Sequence, residues 1–184
     1  MRDLYDVRVY LDPPEGLRRK WKVQRDCSRR GYTTDQVLHE LDRREADAEA
    51  YIRPQRRHAD LVISFMPGNP GDQEHLDASV EMRPGLIHPD LSSLVGQGPE
   101  GITLHERGAE LSLWIPGTIS AALGATIQGT VWDRMHFASH LRTERLGEFT
   151  VGTDLHRSES LALTQLLVLY QLVTARAAVA VGAT

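Results

Sequence analysis

Apolar positions along this chain alternate between two spacings. Val7, Val9 and Leu11 are separated by Asp6, Arg8 and Tyr10, a period of two that predicts a short strand ended by Asp12-Pro13-Pro14. The spacing then lengthens. Leu17, Trp21 and Gln24 recur at helical intervals, Pro14 and Glu15 suit a helix start, and Gly31 ends the run. Thr33 or Thr34 is placed to cap a second helix with Val37, Leu38 and Leu41 on one face, continuing through the charged DRREADAEA stretch toward Tyr51. Its polar majority predicts a weakly packed, solvent-facing element. Residues 59–65, ADLVISF, return to strand character and stop at the MPGNPGD cluster, the clearest internal boundary.

Beyond it, Leu76, Ala78, Val80 and Met82 alternate with polar residues, and Ile102/Leu104 and Leu111/Leu113/Ile115 do so on either side of HERGAE, predicting a strand and then a hairpin. Residues 118–135 and 158–181 read as helices, the second with Leu163, Leu166, Leu167 and Tyr170 on a broad apolar face and Ser158 as cap. The order is α/β, then antiparallel β, then helices.

Composition narrows what such a fold does. With 184 residues, 41% hydrophobic and 25% charged, the chain can bury a core and lies outside disordered and collagen-like classes. The amino terminus lacks the basic and apolar regions of a signal peptide, and the apolar run 161–173 is broken by Thr164, Gln165, Tyr170 and Gln171, short of a membrane span. No membrane association is expected. The single Cys27 excludes an internal disulfide framework, so a reducing, cytoplasmic location is expected. A net charge of −4 argues against a nucleic-acid partner.

The charge is uneven. Residues 1–58 carry 14 Lys/Arg against 11 Asp/Glu, a balance of +3, and residues 59–184 carry 7 against 14, a balance of −7. Nineteen of the 21 basic residues are Arg; Lys20 and Lys22 are the two lysines. Arg18, Lys22, Arg25 and Arg29 fall at steps of four, three and four, which places four cations along one stripe of the first helix. Glu15 to Arg19 and Asp26 to Arg30 pairs would offset only part of this charge. A solvated face is one outcome and a phosphate-binding face the other, since Arg forks match phosphate oxygens and Lys supplies a point charge.

Weaker signals carry less. GQGPEG at 96–101 matches G-x-G-x-x-G by letter but precedes a strand pattern, not a helix, and reads as a glycine loop. Asp133, His136 and His140 could share a helical face as metal ligands, but with aromatic and small residues between them and no further ligand motif, ordinary polar packing is the better reading. Cys27, beside Arg25, Arg29 and Arg30, reads as an ordinary helix cysteine.

The basic helix also carries a resemblance. W-K-x-x-R-D-x-x-x-R-G at 21–31 and Y-I-x-P-Q at 51–55 resemble the segment that follows the catalytic core strands in phosphoribulokinases. Uridine kinases share R-D-x-x-x-R-G but not the flanking W-K or the Y-I-x-P-Q continuation. LSLWIPGTISAALGATIQGTVWDRMHFASH, with Ser139-His140-Leu141, and SESLALTQLLVLYQLV are similar to the carboxy-terminal region of the longer phosphoribulokinases.

The resemblance implies a P-loop kinase fold, α/β with a remnant of its parallel sheet and a helical lid, followed by an antiparallel β region and carboxy-terminal helices. It places the kinase-core part at 1–67 and the carboxy-terminal part at 68–184. It implies transfer of the ATP γ-phosphate to the 1-hydroxyl of ribulose 5-phosphate with Mg²⁺, giving ribulose 1,5-bisphosphate, the CO₂ acceptor of the Calvin cycle. Lys22, Arg25 and Arg30 match the family's lid lysine and arginines, and Arg43 and Arg44 match an arginine pair tied to regulation or substrate phosphate.

The family's G-x-x-x-x-G-K-[ST] loop is absent from these 184 residues, which contain no Gly-Lys dipeptide. The chain is therefore expected to act as a carboxy-terminal portion, inactive alone, with a P-loop-bearing amino-terminal half as partner and a tendency to form homo-oligomers. Two alternatives stand beside this: a non-catalytic sugar-phosphate, nucleotide-binding or oligomerisation protein, and a fragment of a uridine-kinase-like enzyme.

Overall fold

The computed structural model describes residues 5–68, 75–96, 100–151, 153–180 and 182. Part of the MPGNPGD boundary and part of the 96–101 glycine match lie outside the described residues.

Strand β1, Val9–Leu11, ends where Pro13 and Pro14 forbid further pairing, and helix α1, Glu15–Arg30, follows at once. Helix α2, Thr34–Arg43, begins at Thr33, whose hydroxyl accepts from the Gln36 N–H while the Gln36 side chain accepts from the Thr33 N–H, a reciprocal cap. The expected long second helix is shorter than its sequence suggests. It breaks at Arg44 and continues as a single turn, α3, Glu45–Asp47, a π turn over Ala48–Ile52 and a 3₁₀ turn over Arg53–His58.

Strand β2, Leu61–Pro67, pairs parallel with β1, Val9 opposite Leu61 and Leu11 opposite Ile63. Strand β3, Leu76–Met82, pairs antiparallel with β2, Leu61 opposite Met82 and Pro67 opposite Leu76. The predicted hairpin forms from β4, Thr103–Arg107, and β5, Glu110–Ile115, turning at Gly108, whose φ of 63° suits glycine. The sheet order is β1-β2-β3-β5-β4, so one parallel pair adjoins an antiparallel region. Both sheet and core cross residue 67: Leu61 and Ile63 belong to the same buried cluster as Val80, Leu113 and Leu166.

Helix α4, Ala121–Arg134, is capped by Ser120, and a 3₁₀ turn follows over His136–Leu141. Strands β6, Glu148–Val151, and β7, Asp154–Arg157, make a separate hairpin that the sequence pattern did not announce. Helix α5, Glu159–Ala180, starts at Ser158, whose hydroxyl accepts from the Leu161 N–H. At 22 residues α5 is long and apolar enough to cross a membrane by length and composition, beyond the interrupted run expected from 161–173. Its Leu163, Leu166, Leu167 and Tyr170 are packed into the sheet, which is the behaviour of a core helix.

Charged contacts fix β1 and the start of α1. Arg8 holds the buried Asp60 through two guanidinium nitrogens at 3.0 and 2.7 Å, and Arg56 bridges Asp12 at 2.7 Å and Glu81 at 2.9 Å. The helical pair itself rests on a small apolar nucleus of Leu17, Val37 and Leu41, outside the main cluster. Arg19 reaches Glu15 at 2.9 Å and Asp42 at 2.5 Å, tying α1 to α2.

Candidate functional site

Helix α1 is built to present charge. Glu15 lies in its first turn and Arg29 and Arg30 in its last, both favourable to the helix dipole, and Gly31 closes it in the left-handed conformation with its N–H on the Asp26 carbonyl. With one buried apolar side chain, Leu17, the rest of the helix surface is free for polar contacts. The four stripe residues Arg18, Lys22, Arg25 and Arg29 all line one cleft of about 1140 Å³.

The opposite wall comes from Phe149, Thr150 and Val151 of β6, His156 and Arg157 of β7, and the first turn of α5; Phe65, Leu76 and Ile119 make an apolar floor. Phe149 and His156 stack across the hairpin with ring centres 5.5 Å apart. Six Lys/Arg side chains line the cleft against one carboxylate, Glu159, which already accepts from Arg157 at 3.0 Å. A cavity so lined is electropositive and suits a multiply charged anion.

Asp26 organises the cations. Its carboxylate is buried, 3% exposed, and receives Lys22 Nζ at 3.0 Å, Arg25 Nε at 2.9 Å and Arg30 at 3.5 Å. Hydrogen bonds from Arg25 and then Lys22 outweigh the cost of desolvation and lower its pKa from 3.8 to about 2. Asp26 is thus ionised throughout the physiological range. It spaces three like charges that would otherwise repel along the helix.

Residues 1–70 match the model of the Phosphoribulokinase / Uridine kinase family. Over this segment the chain is similar to that family. It is 43% identical to the phosphoribulokinase of Synechocystis over 67 residues, 36% of this chain and 20% of that protein. It is 30% identical to the chloroplastic phosphoribulokinase of Chlamydomonas reinhardtii over 116 residues, 62% and 28% of the two chains. Against the uridine kinase of Borrelia turicatae the figures are 34% over 64 residues, 34% and 31%. The stretches aligned with these three relatives thus span less than a third of each relative's length. Among solved structures, the phosphoribulokinase from Rhodobacter spheroides aligns over 76% of this chain and 52% of its own, with a TM-score of 0.48 and 23% identity.

Within the family segment, the residues matched to the lid lysine and arginines divide. Lys22 and Arg25 line the cleft, whereas Arg30 meets them only through Asp26 and is not part of the cleft wall. Arg43 and Arg44 lie at the far end of α2, both paired to Glu40, whose pKa their bonds lower from 4.5 to about 2. They do not line the cleft. Asp133, His136 and His140 do not share a helical face, because α4 stops at Arg134 and the chain turns into a 3₁₀ segment kinked at Ala138. Among the described residues no group of three or more His, Cys, Asp or Glu could hold a metal ion. Cys27 is a free, half-buried thiol near the Thr34 hydroxyl at 3.9 Å.

Two features escaped sequence reasoning. Asp26 reads there only as a partner of Arg30, although Lys22, Arg25 and Arg30 at −4, −1 and +4 are the spacing of a shared carboxylate. The β6–β7 wall has no comparable signal, since all four residues of β7 are exposed and show no alternation.

Proposed function

We propose that this chain supplies the phosphate-binding lid of a phosphoribulokinase, an ATP-dependent enzyme that phosphorylates the 1-hydroxyl of ribulose 5-phosphate. The observation that carries this is the meeting of all four stripe cations on one cleft, within the segment that matches the family. In phosphoryl transfer, charge spreads over the equatorial oxygens of the moving group, and fixed cations stabilise it more than they stabilise bound substrate. Lys22 and Arg25 are the side chains placed for this, held at a set spacing by Asp26. Arg30 acts by sharing that carboxylate, and Arg43 and Arg44 stand apart as a surface pair open to substrate phosphate or a regulator.

The phosphates of ATP fit this donor set. For Mg²⁺ the described residues offer no group of three or more His, Cys, Asp or Glu ligands. The P-loop and the general base belong to a partner segment. Open backbone on the outer side of β1, with Val9 43% and Leu11 64% exposed, gives that segment a place to pair, since parallel strands are normally covered on both faces.

The test is reconstitution. The chain alone yields no ribulose 1,5-bisphosphate from ATP and ribulose 5-phosphate, and co-expression with the P-loop-bearing part of the Synechocystis enzyme restores turnover. Lys22→Ala in the pair lowers kcat by about 10²-fold, the scale for one transition-state donor. Turnover by the chain alone, or preference for uridine in the reconstituted pair, overturns the assignment; sugar-phosphate binding without transfer in any pairing indicates a non-catalytic binding protein.

A further inference from the structure

The four stripe cations are not equivalent. Arg18 is held by Glu15 through two bonds of 2.8 Å, and Lys22 and Arg25 are held by Asp26. Arg29 has no carboxylate partner among the described residues; its guanidinium donates instead to the hydroxyl of Thr150 on β6, across the mouth of the cleft. Lys20 lines the cleft too and has no carboxylate partner or hydrogen bond to the opposite wall among the described residues, but it lies half a turn round α1 from the stripe.

We propose that Arg29 is the side chain that first engages an anion in this cleft, and that Thr150 is its resting partner. This rests on α1 being a phosphate-binding helix. A guanidinium bound to a neutral hydroxyl gains much more from a phosphate than one already bound to a carboxylate, because the charge-assisted, two-pronged bond replaces a single bond to a neutral acceptor. Lys22 and Arg25 keep further N–H donors while bound to Asp26, but their charge already faces that carboxylate, so a first phosphate gains less from them. The ligand class is a phosphate ester or polyphosphate, with its phosphate between α1 and β6.

The exchange has a structural consequence. The Arg29–Thr150 bond joins α1 to a hairpin whose β7 is exposed throughout, so capture of Arg29 by phosphate unlatches β6–β7 from α1. Binding and hairpin release are two readouts of one event.

The experiment uses the whole 184-residue chain titrated calorimetrically with inorganic pyrophosphate at fixed ionic strength, with hydrogen exchange followed at β6 and β7. Arg29→Ala should weaken binding about tenfold and Thr150→Val should tighten it about threefold, the sizes of a charge-assisted bond lost and a neutral competitor removed. Pyrophosphate should speed exchange in β6–β7 of the unaltered chain, and in Arg29→Ala exchange should already be fast and indifferent to it. Thr150→Val preserves shape and a strand-favouring side chain, so it reports even if Arg29→Ala folds poorly. Unaltered affinity in both variants, a larger loss from Lys20→Ala or Lys22→Ala, or unchanged exchange on binding would overturn the proposal while leaving α1 a phosphate-binding helix. Failure of the unaltered chain to bind pyrophosphate would overturn that underlying assignment as well.

Discussion

Asp26 gives the chain a defined response to acid. Its folded-state pKa, about 2, lies below the ordinary 3.8, so the folded protein binds fewer protons than the unfolded chain between those values. The stability it contributes is fully present above about pH 4 and is lost as pH falls toward about 2. Urea midpoints measured across this window should therefore fall steeply with acid. In Asp26→Asn the neutral-pH midpoint should be lower, because Lys22, Arg25 and Arg30 then repel without relief, and the acid slope should be shallower, with Glu40, Glu15 and Asp90, whose carboxyls are also held below their ordinary values, supplying what remains. An identical slope in the variant would place the acid response elsewhere. The same residue shows what a sequence can and cannot convey: side-chain identity and spacing announced the stripe, but whether Asp26 is exposed or enclosed by its three cations depends on where the helix lies against its neighbours.

The strongly periodic or strongly punctuated elements match the sequence closely. Proline before α1, glycine after it, the threonine cap of α2, the apolar run of β2 and the alternating strands β3 and β5 are local rules, and local rules are written in adjacent residues. The β6–β7 hairpin is held by distant contacts instead. At its base Gly147 adopts φ 81°, donates to the Gln165 side chain at 2.8 Å and accepts from the Ser158 N–H at 3.0 Å. A Cβ at this position would stand 2.3 Å from the Ser158 carbonyl oxygen and 2.8 Å from Ala162 Cβ. Gly147→Ala should thus cost about 3 kcal/mol or more, the sum of a left-handed penalty and an overpacked contact against backbone. Because the clash lies where the hairpin meets α5, thermal denaturation should show a lowered Tm and the cleft should lose anion affinity through its displaced wall. A variant as stable as the parent would show that the segment repacks freely.

At the scale of the whole molecule, the sheet is asymmetric in its edges. On one side β4 carries Thr103, His105 and Arg107 outward, polar groups that discourage pairing with another chain. On the other, β1 has backbone paired to β2 alone among the described residues, and its Val9 and Leu11 side chains are exposed. A parallel edge strand with apolar side chains on an otherwise covered sheet will associate, and the partner it meets first depends on what is available. In purified form that partner is another copy, so sedimentation velocity should show concentration-dependent growth beyond the monomer, and Leu11→Lys should suppress it by setting a charge on the pairing face. When the P-loop-bearing segment is co-expressed, the same substitution should reduce recovery of the paired complex while leaving pyrophosphate binding by α1 unchanged, since Leu11 does not line the cleft. Equal self-association in Leu11→Lys and the parent would remove β1 as the adhesive edge, and β4 or the exposed Leu172 and Val179 of α5 would then be the surfaces to alter.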